Sequence, residues 1–266
     1  MNSLFIETSQ ISRSEITRHE VEYHDGFIIK RRFTNNYGTP KSDAMGVYGI
    51  SYKPNKNGLK VRETYLDQAN KPLSLKNGVT AIDYDIDPLP SRVLAVSYRN
   101  EQNKLILGKG NYAKSIRAYD EHGNVERITY FGVNDKPILI KNGYAKLIRV
   151  YDERDNLTEQ AFFDVDGKPA LHKDGYAKLT RVYDKRGNVA EIAFFNVNDE
   201  PVIGDNGFAK AISVYDKRGN RISGAVFGID GKPILANDGF SKITRAFDAI
   251  GNNTEIAYFG LNGEPV

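Results

Sequence analysis

The tetrapeptide Gly143-Tyr144-Ala145-Lys146 returns as Gly175-Tyr176-Ala177-Lys178, Gly207-Phe208-Ala209-Lys210 and Gly239-Phe240-Ser241-Lys242, each copy 32 residues after the last. One step earlier stands Asn111-Tyr112-Ala113-Lys114. A fixed period of this length restricts the chain to folds in which one small motif is copied and buries its apolar surface against its own copies.

Each regular repeat then carries a Tyr-Asp-x-x-Gly-Asn element, at Tyr119–Asn124, Tyr183–Asn188 and Tyr215–Asn220. Phe247 stands for the tyrosine in the last repeat, and Asp155 replaces the glycine between Tyr151 and Asn156. An apolar pair follows, as at Phe162-Phe163 and Phe194-Phe195, and a proline closes the motif at Pro137, Pro169, Pro201, Pro233 and Pro265. The same spacing finds weaker marks upstream. The division is therefore a leader or N-terminal cap over residues 1–13, three degenerate repeats over 14–110 beginning at 14, 46 and 78, and five regular repeats over 111–266 beginning at 111, 143, 175, 207 and 239.

Segments such as Tyr176 to Tyr183 are rich in β-branched and aromatic residues and too short for a stable helix, so they read as strands. Asp184-Lys185-Arg186-Gly187-Asn188 has aspartate where a type I turn opens and glycine where the next residue must be left-handed, which predicts a three-residue hairpin with a bulge. Counting back from Asp184 opposite Asn188 pairs Arg181 with Glu191, and by the same count Arg149 with Glu159, Arg245 with Glu255 and Ser213 with Ser223. Adjacent strand residues point to opposite faces, so Phe162 and Phe163 together require cover on both sides. A lone hairpin is marginal in water. The expected fold class is all-β, an extended or superhelical array of stacked antiparallel hairpins, with a closed propeller-like array as the alternative.

The elements at Tyr183 and Tyr215 resemble the YD repeats of bacterial RHS proteins, and Tyr183 to Phe195 followed by Gly207 is similar to bacterial variant MORN repeats. The resemblance covers residues 111–266 and implies hairpin arrays. It also implies a toxin-associated or toxin-neutralising repeat protein, and it transfers no catalytic residue. The longer period and the regular proline depart from both families.

Composition narrows the function. Hydrophobic residues are 40% of the chain, with 16 Tyr and 13 Phe, which is core material for a folded protein. Lys plus Arg number 37 against 34 acidic residues, with the signs interspersed, so no single-sign field of the kind that captures nucleic acid is present. No cysteine occurs, which removes disulfides and thiolate chemistry. No apolar run is long enough to span a membrane. The expected location is cytoplasmic, with export by a non-classical route as the alternative.

Motifs that promise chemistry read as structure. His19 and His24 are five apart in a strand-like segment, where a zinc protease helix needs them four apart. The four histidines, His122 and His172 included, are expected to be exposed polar residues. Gly108 to Ala113 has the spacing of a dinucleotide loop but precedes a strand pattern, and Asp164-Val165-Asp166-Gly167 reads as a tight turn, not a calcium loop. The expectation is no enzyme, no cofactor and no metal. The leading function is protein binding or assembly by a repeat scaffold, with the irregular stretches around Pro54, Pro88 and Pro90 as contact sites. The competing reading is glycan or cell-surface binding through exposed aromatics at one repeat position, Tyr112, Tyr144, Tyr176 and Phe208. The burial of those rings discriminates between the two.

Overall fold

The computed structural model describes residues 16–266, together with the main chain of residues 3–7. Apart from those five, the leader expected over residues 1–13 lies outside the described residues. Among the described residues there are seventeen strands and no helix. The chain divides into two compact units, residues 1–117 with 129–138 and residues 118–128 with 139–266.

In the first unit β1 (Ser3–Glu7), β2 (Arg18–His24), β3 (Phe27–Thr34), β4 (Gly49–Pro54), β5 (Lys60–Leu66), β6 (Ala81–Ile86) and β7 (Val93–Arg99) pair antiparallel in chain order. The strands β8 (Lys114–Tyr119) and β9 (Val125–Phe131) contribute residues to each unit. The second unit continues with β10 (Lys146–Tyr151), β11 (Leu157–Phe163), β12 (Lys178–Tyr183), β13 (Val189–Phe195), β14 (Lys210–Tyr215), β15 (Arg221–Phe227), β16 (Lys242–Phe247) and β17 (Asn253–Phe259). These eight form an uninterrupted antiparallel ladder. A continuous ladder of eight is not a set of four-stranded propeller blades, so the array is open and the closed alternative is set aside.

The turn chemistry follows from the side chains. Asp184 Oδ1 accepts the backbone N–H of Arg186 (2.8 Å) and of Asn188 (2.9 Å), and Asn188 Nδ2 donates to Asp184 Oδ2 (2.9 Å). The same clasp closes the turns at Asp152, Asp216 and Asp248. Asn35, Asn55 and Asn196 clasp other loops with an amide oxygen instead.

Each of the four aspartates is held below the ordinary carboxyl range, first by the side-chain hydrogen bond from its paired asparagine and then by the backbone donors. A carboxyl that is more acidic in the folded chain stabilises the fold above the unfolded-state pKa of about 4, and that contribution disappears as pH falls through the folded value. The midpoint of thermal unfolding is therefore expected to drop between about pH 5 and pH 2. Changing the four aspartates together to asparagine is expected to flatten that profile, since an amide oxygen, as at Asn35 and Asn55, still accepts the backbone N–H groups without titrating.

The register differs from the sequence count by one residue. Tyr183 faces Val189 but Val182 faces Glu191, because an irregularity leaves Ala190 as an extra residue on the second strand. Arg181 then faces Ile192 instead of Glu191. The same shift sets Arg149 opposite Gln160, Arg245 opposite Ile256 and Ser213 opposite Gly224. Arg149 Nε donates to Gln160 Oε1 at 3.1 Å, the contact the true register allows. The expected arginine–glutamate pairs are corrected accordingly: a β-bulge carries one partner to the other face.

Repeats are stitched at two levels in the second unit. The tyrosine of each Tyr-Asp pair donates from its hydroxyl to a carbonyl of the preceding hairpin, Tyr151 to Val125 (3.1 Å), Tyr183 to Leu157 (2.8 Å) and Tyr215 to Val189 (3.1 Å). At the turns, Arg154 Nη1 donates to the Lys185 carbonyl (3.0 Å) and Arg186 Nη1 to that of Asp216 (2.7 Å). His122 holds the corresponding place in the preceding turn, and its Nδ1 lies 2.8 Å from the Asp155 carboxylate. The hydrogen bond to Asp155, more than any other influence, raises the His122 pKa.

Candidate functional site

The second unit has two unlike faces, and the register separates them. One face holds Leu179 opposite Phe194 and, in the preceding hairpin, Leu147 opposite Phe162, all at 4% exposure or less. The recurring aromatics fold over this face. Tyr144 lies 4.6 Å from Phe162, Tyr176 lies 4.9 Å from Phe194, and Phe208 lies 5.7 Å from Phe194. In the first unit Tyr112 meets Tyr130 at 4.8 Å, and its hydroxyl is 3.2 Å from that of Tyr98.

The premise of the glycan reading is thereby corrected. Tyr144 is buried and Tyr112, Tyr176 and Phe208 are half-buried, because rings of one repeat and its neighbour gain more by stacking on each other than by facing water. His172 is corrected with them. Its side chain stacks on Phe162 at 4.9 Å and touches Tyr144 and Tyr176, and burial lowers its pKa. His19 packs on Phe33 at 5.2 Å, so it too is not an exposed polar residue.

The opposite face is not overlaid by those rings. There Lys178 lies opposite Phe195, Thr180 opposite Ala193 and Val182 opposite Glu191. The lysine of each Gly-Tyr-Ala-Lys copy reaches over its cross-strand aromatic, with Nζ 4.6 Å from the Phe163 ring centre for Lys146 and 4.8 Å from that of Phe195 for Lys178. Lys210 and Lys242 cover Phe227 and Phe259 in the same way. The second phenyl of each aromatic pair therefore has a cation for its cover, which is what the two-sided requirement becomes in this fold.

At the far margin of this open face, Val150, Val182 and Val214 recur one per repeat at 48%, 54% and 50% exposure. Where the face meets the closing turns, a shallow cavity of about 270 Å³ is lined by Glu191, Ala193, Phe195, Pro201, Lys210 and Ile229. A row of exposed aliphatics regularly spaced across parallel copies of one motif is a surface suited to an extended contact with another macromolecule. The sequence held this signal in the alternation of β10, β12 and β14, but gave no means of telling which alternate set was covered.

The irregular stretches named from sequence sit in the first unit and do not converge. Pro54 ends β4, half-buried, while Pro88 and Pro90 lie exposed in the turn between β6 and β7. Nearby, the Asp83 carboxylate takes Arg62 Nη2 at 2.9 Å and Arg99 Nε at 2.8 Å. Burial works to raise its pKa, and the two guanidiniums outweigh it. Asp164 Oδ1 accepts the N–H groups of Asp166 and Lys168, a turn clasp of the kind described above. No group of three His, Asp or Glu side chains placed to hold a metal ion exists among the described residues. Nor is any helix among them long and apolar enough to cross a membrane.

Fold and surface together define a tandem β-hairpin repeat protein. No family model and no curated protein matches the chain. Among solved structures, it is similar to the Photorhabdus luminescens Tc holotoxin pore with a mutant TccC3, at 13% identity over 92% of this chain and 12% of that one, with a TM-score of 0.44. It is likewise similar to the TcdB2–TccC3–Cdc42 complex, at 14% identity over 91% of this chain and 12% of that one, with a TM-score of 0.41. The chain spans about an eighth of the length of those chains.

Proposed function

We propose that this chain is a non-enzymatic repeat scaffold that holds another protein against the open face of its second unit. The observation that carries the reading is the row Val150, Val182 and Val214, exposed at one position of successive repeats while the aromatic rings at the other recurrent position stack against their neighbours. The strongly acidic groups of the array support it further, since Asp152, Asp184, Asp216 and Asp248 serve turns and are not gathered in a cleft.

Replacing the three valines together by aspartate tests the proposal. The variant is expected to keep its β-sheet circular dichroism, because exposed positions tolerate polar groups, and to lose the proteins that the tagged wild-type chain captures from lysate of its source. Retention of every captured protein by the variant removes this face from the function. The identity of the captured protein also reads out the toxin association that the YD and variant MORN resemblance implies.

A further inference from the structure

We propose that the partner held on the open face of the second unit inserts an acidic side chain, with an apolar residue beside it, into the cavity next to Lys210; this rests on the reading of that face as a protein-binding surface. One position, followed from repeat to repeat, shows why a carboxylate belongs there.

The loop after the second strand of each regular hairpin has a left-handed residue at its fourth place: Asp135, Gly167, Asp199, Gly231 and Gly263. Where that residue is aspartate, its carboxylate meets the lysine of the same hairpin. In the first unit Lys114 Nζ lies 3.1 Å from Asp135 Oδ1, and in the second Lys178 Nζ pairs with Asp199 Oδ1. Asp135 and Asp199 adopt φ of +58° and +66°, so the backbone there accepts a side chain. Gly231, at φ +74°, brings none, although a Cβ built on it meets nothing within 4 Å. The space that the Asp199 side chain takes in one repeat is therefore left open in the next.

Lys210 is the lysine of that next repeat, and its ammonium has turned back across the strands to Glu191, at 3.8 Å. The distance exceeds the about 2.7–3.2 Å of a hydrogen bond. An ammonium carries three donors, and an ion pair so loose and so open to water holds little energy. A carboxylate arriving from the loop side finds the donors that Asp199 uses on Lys178, while Glu191, a third exposed, is free to turn to solvent.

The cavity fits the rest of such a group. Apart from Lys210 and Glu191 its lining is uncharged, with Ala193, Phe195, Pro201 and Ile229 as apolar walls. Its volume of about 270 Å³ is smaller than the roughly 300–1,000 Å³ of sites that enclose a drug-sized ligand, so it suits one or two side chains of a larger partner. Ile229, 62% exposed at the mouth, offers the apolar neighbour of the carboxylate a surface to cover.

The probe is N-acetyl-leucyl-glutamyl-leucinamide, titrated into the full chain and followed by proton–nitrogen correlation NMR. The backbone amide signals of Gly228, Ile229 and Gly231 are expected to shift and to saturate with a Kd of about 1–10 mM, the range for one anchoring side chain. The glutaminyl counterpart of the peptide is expected to bind about tenfold more weakly, and Lys210→Gln is expected to weaken the glutamyl peptide to the same degree, since each removes a charged hydrogen bond. Gly231→Asp is expected to fold like the wild type by circular dichroism, because two repeats carry aspartate at this position, and to weaken the peptide about tenfold by placing the chain's own carboxylate on Lys210.

Amide signals that do not move with the glutamyl peptide overturn the proposal, as do equal affinities for the two peptides or unchanged affinity in Gly231→Asp. Inorganic phosphate that shifts the same signals when the peptide does not assigns the cavity to a phosphorylated ligand and overturns the acidic side chain. In the capture experiment, Gly231→Asp is expected to retain about a tenth of the protein that the wild type retains. Full retention by Gly231→Asp, beside loss by the triple valine variant, overturns the cavity alone and leaves the scaffold reading intact; full retention by both overturns the two together.

Discussion

Replacing Phe162 by alanine is expected to cost the fold about 3–5 kcal/mol, the range for removing a fully buried phenyl when its surroundings cannot collapse. Phe162 is 2% exposed and sits among Tyr144 at 4.6 Å, His172 at 4.9 Å and Tyr176 at 5.9 Å, three rings from two successive repeats. Each is fixed by its own strand or turn, so the void persists. The neighbouring change, Phe163 to alanine, removes a half-exposed ring whose cover is the Lys146 ammonium, and is expected to cost about 1 kcal/mol. Chemical denaturation followed by circular dichroism measures both. Equal costs for the two would contradict the assignment of one covered and one open face.

The second large effect is expected at Gly143. Its φ is +93°, and a Cβ placed there would stand 2.7 Å from the carbonyl oxygen of Leu171, in the next connecting loop along the array. Alanine therefore meets two obstacles, a left-handed backbone that L residues avoid and a main-chain atom that cannot rotate away. The expected loss is about 2–3 kcal/mol. Gly239 holds the same repeat position at φ +84° with nothing within 4 Å of a built Cβ, so Gly239→Ala meets only the first obstacle and is expected to cost about 1 kcal/mol. The difference between the two variants, read from denaturation midpoints, isolates the close approach of successive connecting loops. Asn111 occupies the equivalent position at φ +66°, in keeping with the tolerance of asparagine for this region.

These two expectations divide along the line between what the sequence carries and what it does not. The Gly-Tyr-Ala-Lys tetrapeptide, the Tyr-Asp-x-x-Gly-Asn turn and the closing proline were legible because turn chemistry and period are local properties. An aspartate that clasps two backbone N–H groups needs only its own next four residues, and it recurs as expected at Asp152, Asp184, Asp216 and Asp248. Hence the hairpins, their strand order and the all-β class could be read directly.

The candidate surface was not legible in the same way. Val182 and Thr180 alternate with Arg181 and Leu179 on the same strand, and alternation is identical whichever set faces a neighbour. The sequence pointed to the aromatics at Tyr112, Tyr144, Tyr176 and Phe208, since a recurring ring looks alike whether it meets a ligand or another ring. It also paired Arg181 with Glu191, because an extra residue at Ala190 leaves no mark in composition yet moves every later partner to the opposite face.

The sequence by itself determined the repeat, the turns and the secondary structure, all set by interactions within a few residues. Only the tertiary structure decided the register, the burial of the aromatic rings, the place of His172 among them and the lysines lying over Phe163 and Phe195. Those depend on contacts between strands and between repeats, whose free energy belongs to pairs of distant residues and cannot be read from either member alone.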